Sequence, residues 1–132
     1  MGQPMIDAIL CAKVEAGLSN ADSDFAKSYR TALRSLPGIV LAAGLLQAVS
    51  YCKSKDKSLV FLMTQLIDVL IARGWYKQAG HLADLNEFEQ YLYACDQREY
   101  QQLTLRCLNC LSKMKGFVDG VEFARDSVGV KA

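Results

Sequence analysis

The sequence has little of what enzymes commonly use. It holds one histidine, His81, one tryptophan, Trp75, and two prolines, Pro4 and Pro37. A lone histidine leaves small scope for acid–base catalysis, and no nucleophile stands beside His81. There is no glycine-rich phosphate loop, no HExxH or HxxxH pair and no G-x-S-x-G. Carboxylates gather at Asp84, Glu87 and Glu89, but no second cluster of metal-ligating residues accompanies them. Enzyme activity, a bound metal and a cofactor are therefore not expected.

Long apolar runs are also missing. A membrane span needs about 18 consecutive apolar residues. The nearest candidate, Leu59 to Ala72, is interrupted by Thr64, Gln65 and Asp68. The opening Met1-Gly2-Gln3-Pro4 places no basic segment ahead of an apolar one, unlike a secretory signal. The expectation is a cytoplasmic protein. No segment shows the two-residue alternation of a half-buried strand, and no Ser/Gly-rich stretch suggests a linker. The fold class expected is all-α, a compact bundle of about five to seven helices forming one domain over residues 1–132.

The five cysteines, Cys11, Cys52, Cys95, Cys107 and Cys110, are an odd number in a chain without an export signal, so reduced thiols are expected. Cys107 and Cys110 form a CxxC inside a helical pattern. A redox CxxC belongs at a helix N-terminus, where a thiolate is stabilised. A zinc site would need further ligands, and only Cys95 and His81 are nearby in sequence. The simpler reading is two small buried side chains.

A first helix is expected from Pro4 to about Gly17, with Met5, Ile9, Ala12 and Ala16 on one side and Leu10 and Val14 flanking. A second, capped by Asp22 or Ser23, runs from about Asp24 to Ser35. At 100° per residue it gathers Phe25, Tyr29, Ala32, Leu33 and Leu36 on one face and Lys27, Arg30 and Arg34 on the other. That basic row is either a solvated face or a phosphate-binding stripe. A third helix is expected to start at Pro37 under a Ser35 cap and to be buried on most sides. A fourth spans about Ser58 to Arg73, with Gly74 as its left-handed terminator. Residues 75–95 suggest two short helical turns, and Trp75 a packed corner. The last helix starts near Asp96, whose spacing to Glu99 is that of a capping box. Its apolar stripe runs through Tyr100, Thr104, Cys107, Leu111, Met114, Val118 and Val121, with a bend expected near Gly116 or Gly120. Gln102, Arg106, Asn109 and Lys113 line its polar face.

The formal net charge of +1 predicts no partner, but its distribution is uneven. Residues 25–57 hold six bases and one acid, whereas residues 84–99 hold five acids and one base. One end of the chain suits a polyanion and the other a basic neighbour.

Three segments carry a resemblance. They are Tyr29-Arg30 leading into Leu36-Pro37, then Gly44-Leu45-Leu46-Gln47, then Tyr51 through Lys55; Glu99-Tyr100 through Thr104 is a weaker fourth. Together, over about Phe25 to Phe117, they resemble the small subunit of the type III-B CRISPR effector, the Cmr complex. The resemblance implies a non-catalytic helical bundle whose copies stack head to tail inside a ribonucleoprotein filament. Its partners would be the backbone and large subunits, CRISPR RNA, target RNA and further copies of itself. It would offer cations to target RNA and leave sequence choice to base pairing, with RNA cleavage left to the backbone subunits. Lys27, Arg30, Arg34, Lys53, Lys55 and Lys57 are then the first candidates for phosphate contact, and Arg106 and Lys113 the second. Asp84, Glu87 and Glu89 would face a basic patch on a neighbouring subunit. Two other readings stay open. One is a helical adaptor that never touches RNA; the other is a thiol or metal enzyme built on Cys107, Cys110 and His81.

Overall fold

The most apolar helix of the chain, Lys57–Ala72, lies at the centre of the molecule against the amphipathic Ser23–Ala43 helix. The computed structural model of the chain describes residues 6–19, 23–77 and 83–131, with 121–131 as backbone only. It contains six helices: α1 Ile6–Leu18, α2 Ser23–Ala43, α3 Leu45–Lys53, α4 Lys57–Ala72, α5 Leu85–Ala94 and α6 Gln97–Lys131. Among the described residues there is no strand, and no helix is long and apolar enough to cross a membrane. α2 packs against α1, α3, α4 and α6, while α4 packs against α1, α2, α3 and α5.

The buried face of α2 is the one its periodicity predicts, with Tyr29, Ala32, Leu33 and Leu36 all in the core. The helix does not end where the local signals suggest. It runs through Pro37 to Ala43, and Ser35 caps nothing: its hydroxyl donates back to the Ala32 carbonyl at 3.4 Å. A proline inside a helix removes one hydrogen bond and crowds the carbonyl four residues back, at a cost of about 3 kcal/mol. Leu33, Leu36 and Val40 are nonetheless buried on one continuous face across Pro37. Their burial, at about 1.5–3 kcal/mol for each large side chain, outweighs the local penalty. The stretch is also less enclosed than its composition predicts, for Leu41 is 73% exposed.

The break comes instead at Gly44, whose φ of +92° is open to glycine and strained for other residues. Gly44 offers no side-chain cap to α3, so the Tyr100 hydroxyl of α6 accepts from Leu46 N at 3.0 Å in its place. Asp56 caps α4 through Leu59 N, and Gly74 (φ +73°) closes it as predicted, with Gly74 N bonded to the Ile71 carbonyl and Trp75 N to that of Leu70.

Two further expectations are corrected. In α1 the buried face is Leu10, Val14 and Gly17, while Ala12 and Ala16 are not in the core. Leu10 and Val14 offer more apolar area than two alanines, so they turn inward. Among the described residues before Cys95 there is one ten-residue helix, α5, capped by Asp84 at Asn86 N and Glu87 N, where two short turns are expected. α6 continues unbroken as helix through Gly116 and Gly120. Its cap is half a capping box: Asp96 accepts from Glu99 N at 2.8 Å, but the Glu99 carboxylate accepts from the Tyr91 hydroxyl rather than turning back. Pro4, Asp22, His81 and the Val121 side chain lie outside the described residues.

Inside the core the polar ends of Tyr29 and Gln65 are matched. The Tyr29 hydroxyl donates to Gln65 Oε1 at 2.6 Å, and Gln65 Nε2 donates to the Lys13 carbonyl at 2.7 Å. This chain joins α1, α2 and α4 and satisfies a tyrosine and a glutamine that apolar surroundings would otherwise penalise. Burial pushes the Tyr29 phenol well above its ordinary range, so it stays a neutral donor.

Candidate nucleic-acid interface

The outer face of α2 carries the basic row as its helical spacing requires. Lys27 and Arg34 are exposed and Arg30 is half-buried. Arg34 leans toward α6, where Asp119 Oδ1 lies 3.9 Å from its guanidinium. Both side chains are about half exposed, so the contact is weak. The loop between α3 and α4 adds Lys55, and the first residue of α4 adds Lys57, both exposed. Lys55 Nζ sits 5.2 Å from the centre of the Tyr51 ring, within cation–π range.

The remaining predicted cations also have partners within the chain. Lys53 Nζ lies 2.7 Å from Glu89 Oε1, and Ser50 donates to the second oxygen of the same carboxylate. These bonds, Lys53 first, hold the Glu89 carboxyl below its ordinary range. Lys113 is 2.8 Å from Asp7 of α1. The Arg106 guanidinium lies 4.5 Å from the centre of the Trp75 ring, and that of Arg73 5.4 Å from it. Trp75 thus packs a corner between two arginines. Of the predicted acidic face, Asp84 is a helix cap and Glu89 an internal partner, while Glu87 stands exposed in the first turn of α5.

Two cavities flank the start of α4, and Asp56 lines both. One, of about 280 Å³, is walled by Lys27 and by the hydroxyl-bearing Ser28, Thr31, Ser35, Tyr51 and Ser58. The other, of about 400 Å³, is walled chiefly by Phe25, Val60, Phe61 and Thr64, with Lys55 and Lys57 at its edge. Phe25 and Phe61 meet edge to face with ring centres 5.3 Å apart. The Asp56 carboxylate is engaged by the Ser58 hydroxyl at 2.6 Å and by Leu59 N at 3.1 Å, which hold its pKa below the ordinary 3.8. The hydroxyl row was not singled out by sequence reasoning, although Ser28, Thr31 and Ser35 follow i, i+3, i+7 spacing beside the basic row.

The thiols of Cys107 and Cys110 are buried in the α6 seam, and burial raises both above the ordinary range. Such groups are packing elements rather than nucleophiles. Among the described residues no group of three histidines, cysteines or carboxylates converges as metal ligands would.

Comparison with known proteins adds three findings. The family profile described as CRISPR-associated protein (Cas_Cmr5) matches residues 7–121. No curated protein matches the chain. Among solved structures, the chain is similar to the crystal structure of a CRISPR-associated Cmr5 family protein from Thermus thermophilus. The TM-score is 0.70 at 23% identity, over 86% of this chain and 90% of that one.

Proposed function

The chain belongs to the Cas_Cmr5 family, the small subunit of the type III-B Cmr complex, and so is a component of that multi-subunit assembly. From that premise we propose that it is a non-catalytic, cytoplasmic subunit that lines the target-RNA path and holds the strand by phosphate contacts without sequence choice. The carrying observation is the basic outer face of α2, Lys27, Arg30 and Arg34, continued at the neighbouring corner by Lys55 and Lys57. Phosphate contacts position a strand and carry no base information, as an RNA-guided complex requires.

Copies of the chain stack on one another and on the backbone subunits in this reading. Three large apolar side chains stand far out in solvent, Leu41, Tyr93 at 83% and Leu105 at 66% exposure, and these are suited to subunit contacts. Head-to-tail contacts between unlike patches build filaments when they do not close. Asp84 and Glu87 meet basic neighbours at such a joint. Close ion pairs within the chain, at 2.7 Å for Lys53 and 2.8 Å for Lys113, compete with phosphate contact at those two lysines.

The test is the triple variant Lys27→Glu, Arg30→Glu, Arg34→Glu in the reconstituted complex. The altered face is opposite the core residues of α2, so the variant is expected to fold and assemble. Target capture is expected to fall, more at low salt than at high. The salt slope is expected to shrink by about 0.7 for each single-strand phosphate that is no longer neutralised. Capture equal to wild type at every salt concentration would leave the row a solvated face. Capture by the wild-type subunit that ignores salt would favour the adaptor reading.

A further inference from the structure

The geometry points to more than phosphate contact at the start of α4: the paired cavities there form a pocket for an unpaired nucleotide, its base against Phe25 and Phe61 and its backbone toward Lys27, Lys55 and Lys57. This inference rests on the RNA reading above and adds the base-stacking half of the site.

Four observations carry it. The larger cavity, about 400 Å³, is apolar and bears two phenyl rings that are neither fully buried nor fully exposed. An edge-to-face pair fixes both rings and offers a preformed surface for a flat heterocycle. The smaller cavity is the chemical opposite, a row of hydroxyls with one lysine, suited to a ribose and a phosphate. Lys55 and Lys57 edge the aromatic cavity, and Lys55 lies against Tyr51, which lines the hydroxyl cavity. The carboxylate common to both cavities, Asp56, stays an anion fixed at the α4 cap by the Ser58 hydroxyl and the backbone of Leu59, and the three lysines around the cavities outnumber it.

An apolar slot ringed by lysines could also admit an acidic peptide, but a peptide has no need of the neighbouring hydroxyl row. A nucleotide uses both halves. Stacking on an aromatic face tolerates any base, so the pocket is consistent with a subunit that exercises no sequence choice.

The experiment compares two short RNA strands of equal length and charge, oligouridine and an abasic analogue, by fluorescence anisotropy with the full-length chain at low salt. Oligouridine is expected to bind about five- to tenfold more tightly. Phe25→Leu, which keeps bulk but loses the aromatic face, is expected to close that gap by weakening oligouridine binding. Phe25→Trp is expected to restore it. Photo-cross-linking of a bromouridine strand is expected to label the peptides bearing Phe25 or Phe61, and it needs no variant.

Equal binding of the two strands by wild type, with a normal salt slope, would overturn the nucleotide pocket and leave the phosphate reading standing. A gap that survives Phe25→Leu, or cross-links mapped elsewhere, would overturn it too. So would displacement of oligouridine from this site by an acidic phenylalanine-bearing peptide at lower concentration. If neither strand binds at low salt, the phosphate reading falls and the pocket falls with it.

Discussion

Lys53 Nζ and Glu89 Oε1 lie 2.7 Å apart, tying the end of α3 to the middle of α5. The charge pattern assigns these residues to opposite partners, a polyanion and a basic neighbour. Within the chain they answer one another, which lowers the availability of Lys53 to RNA.

That pairing sets the first prediction. Glu89→Gln is expected to release Lys53 and raise oligonucleotide affinity modestly at low salt. Stability is expected to change by only about 0.2–1 kcal/mol, because both partners are partly solvated. Filter binding and a thermal melt measure the two effects. Weaker RNA binding in Glu89→Gln would show that Glu89 orients Lys53 toward the strand.

Acid is expected to destabilise the fold through the same carboxylate and through Asp56. Hydrogen bonds, from Lys53 and Ser50 to Glu89 and from Ser58 and Leu59 to Asp56, hold both groups below their ordinary values of 4.5 and 3.8. The unfolded chain therefore takes up protons first. The stabilisation is fully present above the unfolded values and is lost as pH falls through the lower folded ones. Tm is expected to be flat above about pH 5 and to drop below it, less steeply in Glu89→Gln. A Tm that rises on acidification would contradict this.

Glycine substitutions are expected to split by sign. A Cβ on Gly17 would lie 2.4 Å from Tyr29 ring atoms, whereas one on Gly38 meets nothing within 4 Å. Within a helix, Gly→Ala ordinarily gains about 0.5–1 kcal/mol. Gly38→Ala is expected to realise that gain, and Gly17→Ala to reverse it, losing about 1–3 kcal/mol as the Tyr29 ring is forced aside. Denaturant midpoints of the two variants decide the matter.

Cys107→Ala and Cys110→Ala are each expected to cost about 0.5–3 kcal/mol through poorer packing, with no metal released. Stoichiometric zinc in the wild type that disappears from the double variant would return these residues to chemistry.

What is legible in the sequence follows the range of the interaction. Phe25, Tyr29, Ala32, Leu33 and Leu36 share a face through one helix's own periodicity, so placing them together needs no knowledge of a partner. Gly74 and Asp96 act within a turn and are legible too. Pro37 does not start a helix because its local preference is overruled by the burial of Leu33, Leu36 and Val40, which depends on other helices. The cations can be named from sequence but not sorted. Lys53 and Glu89 are 36 residues apart and Lys113 and Asp7 are 106 apart, so no short window of sequence contains either pair. The two cavities are equally hidden, since they draw on α2, the end of α3 and the start of α4 together.

The buried chain from Tyr29 through Gln65 to the Lys13 carbonyl has a consequence for how the helices find one another. Apolar contact is indifferent to a shift of one turn along a ridge, because one leucine replaces another. A directed hydrogen bond is not indifferent. A slipped α1 would take the Lys13 carbonyl away from the Gln65 amide and strand that N–H in a dry interior, at about 1–3 kcal/mol, while the Tyr29–Gln65 bond between α2 and α4 stayed in place. The bond to Lys13 adds little net stability to the correct arrangement, yet it penalises every neighbouring one. α1 therefore has a single berth on the α2–α4 platform, and a near-miss in assembly becomes a rejected state instead of a populated one.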